Sequence, residues 1–152
     1  MITLKNNEEK LIIKYTNYQN KKKNNKLCIL SHYNKNQVIE DYVKYMIKQL
    51  HKLKFDVIFV TTSENISSVK LDSLKKYLHT SIIRKNLGYD FVSWKTGLSF
   101  VKDYKKYKSI LHINDSIFFP LVNPKKIFKK MNKKKVDFWG MTDSFKETYH
   151  IE

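Results

Sequence analysis

Two apolar runs, Leu27-Cys28-Ile29-Leu30 and Phe55-Asp56-Val57-Ile58-Phe59-Val60-Thr61, flank a segment whose apolar residues recur at helical spacing. That segment extends from Val38 to Leu53 and carries two acidic residues near its amino end, where negative charge suits the helix dipole. A strand, a helix and a second strand in this order predict a right-handed βαβ unit. Strands that are apolar throughout are typical of a parallel sheet covered on both faces.

The same alternation continues along the chain. Three further strands are predicted, over residues 81–84, 109–113 and 136–141. Helical stretches are predicted over residues 67–78 and 90–104, and Pro124 opens a further short helix. In the second stretch, one helical face carries four apolar residues: Phe91, Trp94, Leu98 and Val101. We therefore expect an α/β fold of the nucleotide-binding type, with a mainly parallel sheet flanked by helices.

The remaining composition narrows the class of protein. Residues 1–26 are rich in Asn and Lys and are expected to form a polar lead-in, with residues 11–13 as a candidate strand; residues 27–152 then form one domain. The single cysteine, Cys28, excludes an intramolecular disulfide and is interpreted as a core residue. No apolar run approaches the roughly 18 residues of a membrane-spanning helix. We expect a cytoplasmic protein.

The chain is strongly basic, with 30 Lys and Arg residues against 14 Asp and Glu residues and a net charge of +16. Such a charge attracts nucleic acid or an anionic membrane. Arg84 is the only arginine, however, and base recognition favours the bidentate guanidinium. The chain also has no alanine and is rich in residues with A- and T-rich codons, so we attribute most of the charge to composition. Nucleic acid is the disfavoured partner, and peripheral contact with the inner face of the cytoplasmic membrane stays open.

Polar residues follow three of the predicted strands directly, in the segments Ser31-His32-Tyr33, Asn86-Leu87-Gly88-Tyr89-Asp90 and Asn114-Asp115-Ser116. Ligands of open α/β sheets bind beyond the carboxyl ends of the strands, so we expect these segments to share one pocket. The alternative is that they are ordinary loops, because every strand end must meet a polar connection.

Asp115 is the candidate metal ligand. An acid that directly follows a buried strand can hold a divalent cation against a diphosphate, and oxygens of Asn114, Ser116, Asp90 and Asp143 are candidate neighbours. The alternative is that Asp115 or Ser116 caps the next turn.

The second segment combines backbone freedom with an acid. Gly88 permits a positive φ and a close approach of the backbone to a ligand. Tyr89 and Trp94 are candidates to stack on a base or sugar, with a core position as the alternative for Trp94. Asp90, and later Asp143, are candidate catalytic acids or bases, with helix capping as the alternative for each. The three glycines lie too far apart for a phosphate-binding loop, and no two histidines have i, i+4 zinc spacing.

Several ordered segments resemble the rhamnan synthesis protein F family of bacterial polysaccharide glycosyltransferases. The resemblance covers roughly residues 26–152 and lies in residues 29–33, 41–43, 86–91, 94–97, 111–116, 120–121 and 137–144. It implies the nucleotide-sugar-binding half of a GT-A-type transferase. The implied activity is transfer of a sugar, such as the deoxyhexose rhamnose, from a nucleotide donor to a growing saccharide or lipid-linked saccharide acceptor.

The resemblance also implies roles for individual residues. It places Asn86, Gly88, Tyr89 and Asp90 near the donor, and Asn114, Asp115 and Ser116 where such enzymes hold Mg²⁺ or Mn²⁺. Acceptor-side residues would be Asp137, Trp139 and Thr142, with Asp143. The family continues beyond the residue that aligns with Glu152, so we expect an incomplete glycosyltransferase domain. The alternative function is a non-catalytic module that binds a sugar or a partner, and enzymatic activity stays open.

Overall fold

The computed structural model describes residues 10–19, 24–141, 143–144 and 150–151. The chain divides into two compact units, Met1–Leu121 and Val122–Glu152. No helix among the described residues is long and apolar enough to cross a membrane.

A five-stranded mixed sheet forms the centre of the first unit. Its strands are β1 (Ile12–Asn17), β2 (Lys26–His32), β3 (Phe55–Thr61), β4 (Thr80–Arg84) and β5 (Ser109–Asn114). The order across the sheet is β1-β4-β3-β2-β5. Strands β2 to β5 are parallel, and only β1, at one edge, runs antiparallel to its neighbour β4. The prediction of an α/β fold with a mainly parallel sheet is therefore confirmed.

Strand β1 lies within the segment expected to be a polar lead-in. It is longer than the candidate strand over residues 11–13, and its end is fastened by a hydrogen bond between the hydroxyls of Tyr18 and Ser81. All six of its residues are exposed or half-buried, as suits the edge of a sheet. The amino-terminal segment thus completes the sheet.

Three helices connect the parallel strands: α1 (Asp41–Lys52), α2 (Ser68–Asp72) and α3 (Tyr89–Ser99). Helix α2 is shorter than predicted, because residues 73–77 continue as turns joined by i→i+3 hydrogen bonds while Leu74 and Leu78 still reach the core. Helix α3 also ends early, and a 3₁₀ turn (Tyr104–Lys106) precedes β5. Cys28 is fully buried, and burial raises the pKa of its thiol, as expected for a core residue.

Helix α3 packs closely on the sheet through small residues. Its buried positions are Ser93, Thr96 and Gly97, and a Cβ on Gly97 would lie 2.5 Å from Cγ2 of Ile29. The predicted apolar face is therefore partly wrong: Phe91 is 79% exposed, whereas Trp94, Leu98 and Val101 pack half-buried against the core. The close approach leaves room for small side chains at its centre and pushes the large ones to the flanks.

The second unit contains helix α4 (Lys125–Met131), which follows Pro124 as predicted. It also contains an antiparallel pair of short strands, β6 (Asp143–Ser144) and β7 (His150–Ile151). The prediction of a strand over residues 136–141 is wrong. Val136 and Phe138 are exposed there, and the Trp139 ring instead contacts the Phe128 ring of α4, with 5.9 Å between ring centroids.

Candidate functional site

The strand order creates a switch point at the carboxyl ends of β2 and β5. From β2 the chain adds β3 and β4 on one side, and it then returns to place β5 on the other side of β2. Connections leave in opposite directions at such a point, which opens a crevice beyond the strand ends. Ser31 of β2 and Asn114 of β5 are register partners at this edge.

Asp90 lies across these two strand ends. Its carboxylate accepts hydrogen bonds from the Ser31 hydroxyl, at 2.6 Å, and from the Asn114 side-chain amide, at 2.9 Å. Helix α3 begins after Gly88 and has no side-chain cap, so the alternative that Asp90 caps the helix is wrong. The Trp94 indole also donates to the carbonyl of Ile113, at 3.1 Å. Helix α3 is therefore bound through polar side chains to both strands of the switch point.

Asp115, the next residue after β5, is held from several directions. Its Oδ2 accepts a hydrogen bond from the Tyr33 backbone N–H at 3.0 Å, and its own N–H donates to the Ser31 carbonyl at 3.1 Å. The Tyr42 hydroxyl donates to its carbonyl at 2.9 Å. Burial raises the pKa of Asp115 to about 6, and the negative charges of Asp90 and Glu40 act in the same direction. The site thus concentrates negative charge around one desolvated carboxylate.

His32 lies beneath this carboxylate and is 1% exposed. Its Nδ1 is 2.8 Å from the Thr61 hydroxyl, and its Nε2 is 3.8 Å from Oδ2 of Asp115. Burial lowers the pKa of His32 to about 4, so the ring is neutral at neutral pH. Thr61 was not among the candidates from sequence, although it ends β3 and is the register partner of His32.

The loop between β4 and α3 is organised by Arg84, which is fully buried. Its guanidinium donates hydrogen bonds to the carbonyls of Lys85, Leu87 and Tyr89 and to the hydroxyl of Ser93. Gly88 has a φ of 75°, as its residue type suggests, but Tyr89 also has a positive φ, 51°. Such a conformation is rare for a bulky residue and is found mainly where surrounding contacts impose it.

The loop that Arg84 binds exposes its side chains to solvent. Tyr89 is 88% exposed, directly beside Asp90, and Tyr33 is exposed at the end of β2. The Asn86 backbone N–H donates to Oε1 of Glu64 at 3.0 Å. Neither Tyr42 nor Arg84 was a candidate site residue. Tyr42 contacts a carbonyl 73 residues away in the sequence, and Arg84 is a buried side chain that bonds to the backbone of the loop directly after it.

The first unit thus brings together most of the residues expected near the donor: Ser31, His32, Tyr33, Asp90, Asn114 and Asp115. Ser116 is exposed beside them in sequence. Of the residues expected near an acceptor, Asp137 is exposed and Trp139 is half-buried in the second unit. Asp143 lies in β6, and Thr142 lies outside the described residues. Their roles towards a ligand stay predictions.

A metal ion would find few protein ligands at this edge. Within the described residues, no three His, Cys, Asp or Glu side chains form a cluster that could hold a metal ion. The chemistry of the site still suits a hard cation, because the buried Asp115 carboxylate carries unfavourable interactions with two other acids that a cation would relieve. Most of the remaining ligands would have to come from a bound molecule.

Known proteins resemble this chain at modest identity. An uncharacterized protein, y4gN, of Sinorhizobium fredii is 25% identical over 100 residues, covering 62% of this chain and 26% of its own length. Virulence protein VirA of Vibrio anguillarum is 28% identical over 145 residues, covering 93% of this chain and 44% of its own length. The chain therefore spans less than half the length of these relatives. No solved structure matches it significantly.

The family comparison covers more than half of the chain. The family model of rhamnan synthesis protein F matches residues 57–150, which include the loop before α3, Asp90, and the segment Asn114-Asp115-Ser116. The resemblance found in the sequence motifs is thereby confirmed, and the chain belongs to the rhamnan synthesis protein F family.

Proposed function

We propose that the carboxyl edge of the sheet binds a nucleoside-diphosphate sugar and that the chain takes part in glycosyl transfer during rhamnan-type polysaccharide synthesis. The observation that carries this proposal is the pair of carboxylates, Asp90 and Asp115, at the switch point between β2 and β5. Strand ends at such a point are where α/β proteins bind nucleotides. Membership of the rhamnan synthesis protein F family supports the substrate class.

The parallel part of the sheet is interpreted as the nucleotide-sugar-binding half of a GT-A-type, Rossmann-like transferase. In this interpretation Asp115, with Asn114 and Ser116, faces the donor diphosphate. A Mg²⁺ or Mn²⁺ ion held by Asp115 would neutralise the diphosphate and help it to leave. Without a cation, two carboxylates would repel a ligand of the same charge.

The loop before α3 supplies the second side of the proposed pocket. Gly88 carries no side chain, so the backbone there can approach a sugar closely. Tyr89 and Tyr33 expose aromatic rings on which a base or sugar ring can stack. Arg84 fixes the loop from below and holds this surface in place.

The two candidate catalytic acids, Asp90 and Asp143, are expected to have different roles. Both oxygens of Asp90 are engaged, by Ser31 and by Asn114, which favours a role in holding those residues over a role as a proton acceptor. Asp143, on the second unit, is the candidate base that would receive the proton of an acceptor hydroxyl.

A second candidate function is a module that binds the donor without transferring the sugar. It is favoured by the contacts of Asp90, because both of its carboxylate oxygens accept hydrogen bonds, from Ser31 and from Asn114, and neither is left to take up a proton. An assay that detects free nucleoside diphosphate and glycosylated acceptor separates the two functions, because the module would bind the donor and release neither product.

The test of donor binding is calorimetric titration with a panel of nucleoside-diphosphate sugars, with Mn²⁺ or with a chelator. We expect at least one donor to bind with Mn²⁺ and Asp115→Asn to weaken that binding tenfold or more. Asp103→Asn is the matched control, because Asp103 is an exposed acid of the same unit that pairs with Lys106. Donor binding that is equal in both variants, or no binding by any donor, would contradict the proposal.

A further inference from the structure

The segment of residues 122–141 is strongly basic for its length. It contains seven lysines and a single acid, Asp137, in 20 residues. The whole chain carries a net charge of +16 over 152 residues, so the charge density of this segment is about three times the average. A local excess of positive charge of this size attracts an anionic surface.

Helix α4 separates its lysines from its apolar residues. At 3.6 residues per turn, Lys125, Lys126, Lys129 and Lys130 fall within one arc of roughly 140°. Ile127, Phe128 and Met131 fall on the opposite side of the helix. The helix is therefore amphipathic, with a polar face made of lysine alone.

Apolar side chains are exposed on this same small unit. Val122 is 71% exposed and Phe138 is 75% exposed, and Ile127, Val136 and Met141 are also exposed. The contact between Phe128 and Trp139 fastens residues 136–141 to α4, so that the exposed apolar residues and the lysines belong to one compact piece of structure. The described part of the unit thus combines positive charge with uncovered apolar surface.

This combination fits one kind of partner better than another. Nucleic acid binds to positively charged residues, and to arginine best of all, but none of the seven positive residues is an arginine. Exposed Phe and Val side chains add nothing to phosphate contacts. An anionic bilayer binds both the lysines and the exposed apolar residues, because its headgroups attract lysine and its interface accepts apolar side chains. We propose that residues 122–141 form a surface that binds anionic phospholipid membranes. This proposal does not depend on donor binding at the sheet edge.

The first test is sedimentation of the full chain with lipid vesicles. We expect binding to vesicles of phosphatidylglycerol and phosphatidylcholine, and none to phosphatidylcholine alone. Each lysine near such a surface strengthens binding about fivefold, so the double variant K129E/K130E should weaken binding by more than 20-fold. The matched control is K102E/K105E, which makes the same change of net charge at two exposed lysines of the first unit. An equal loss in both variants would overturn the assignment to this surface.

The second test separates a membrane from a polyanion. Phe138→Ser removes an exposed apolar side chain without changing charge or the core, and we expect it to weaken vesicle binding several-fold while leaving binding to heparin unchanged. Circular dichroism verifies that each variant is folded. Tighter binding to duplex DNA or RNA than to the anionic vesicles at equal salt, or vesicle binding indifferent to Phe138→Ser, would overturn the proposal.

Discussion

The carboxylate of Asp90 joins Ser31 to Asn114, which are neighbours across the two strands of the switch point. Asp90 of α3 therefore links the carboxyl ends of β2 and β5. Hydrogen bonds to an ionised acceptor are shorter and about twice as strong as those between neutral groups. The same contacts that shape the proposed donor pocket therefore also stabilise the packing of α3.

Asp90→Asn should lower the free energy of unfolding by about 1–3 kcal/mol, because a neutral amide replaces the carboxylate and the contacts with Ser31 and Asn114 become weaker, neutral hydrogen bonds. Urea denaturation measures the effect. Asp103→Asn is the control and should change stability by less than about 0.5 kcal/mol, since its pair with Lys106 lies on the surface. Equal stability of the two variants would show that the Asp90 contacts contribute nothing to the fold.

Gly97→Ala should destabilise the protein by about 1–3 kcal/mol, because the new methyl group would meet Ile29 and Val60 of the sheet. The helix would have to move away from β2 and β3, which also displaces Asp90 from its two donors. Thermal unfolding measures the first effect. Ser99→Thr adds a methyl group at an exposed position of the same helix and keeps the hydroxyl that donates to the Thr96 carbonyl, so it should change stability by less than about 0.5 kcal/mol and serves as the control.

Sequence reasoning recovered the parallel strands because they are apolar on both faces. Strand β3 covers the predicted residues 55–61, and the strands around it differ from prediction by one or two residues at an end. The prediction failed over residues 136–141, where an apolar and aromatic pattern is typical of a strand but pairs with no strand among the residues that the structure describes. Strand formation depends on a partner, and a single sequence does not show which partners meet.

The sequence also predicted which polar side chains lie together at the sheet edge. Polar residues at parallel strand ends share one edge of a sheet, so Ser31, Asp90 and Asn114 were expected together. The contacts of Tyr42 and Thr61 could not be predicted, since they join positions 73 and 29 residues apart and depend on the strand order. The prediction for the buried face of α3 was partly wrong because helical periodicity assigns large apolar residues to the buried face. The close packing of α3 on the sheet instead requires small residues there.

Arg84→Lys should destabilise the protein by about 2–4 kcal/mol although the charge is kept. A lysine has three donors and no planar fork, so it cannot donate to three loop carbonyls and the Ser93 hydroxyl together, and some of these partly buried hydrogen bonds are lost. Amide hydrogen exchange over residues 85–89 should become faster. Lys85→Arg, the reverse change at the exposed neighbouring position, is the control, and we expect it to preserve both stability and exchange.

Burial moves the pKa values of His32 and Asp115 in opposite directions, to about 4 and about 6, with 3.8 Å between the two side chains. The contribution of Asp115 to the free energy of unfolding is present below pH 4 and is lost as the pH rises through 6, because its folded pKa is raised. The contribution of His32 is present above pH 6.5 and is lost as the pH falls through 4, because its folded pKa is lowered. Between pH 4 and pH 6.5, a rise in pH therefore decreases the stabilisation from Asp115 and increases the stabilisation from His32, and the two changes oppose each other.

Asp115→Asn should separate the two effects. The amide oxygen can still accept the Tyr33 N–H, and no charge is buried, so the variant should be more stable than the wild type by about 2–3 kcal/mol at pH 8. It should then lose stability between pH 6.5 and 4, where only the His32 contribution remains. Urea denaturation at four pH values, in chelator, measures both. If the free energy of unfolding of the variant depends on pH as that of the wild type does, the prediction is contradicted. If the variant is stabilised and no longer binds donor, Asp115 is assigned to ligand binding, because loss of folding cannot explain the loss of binding.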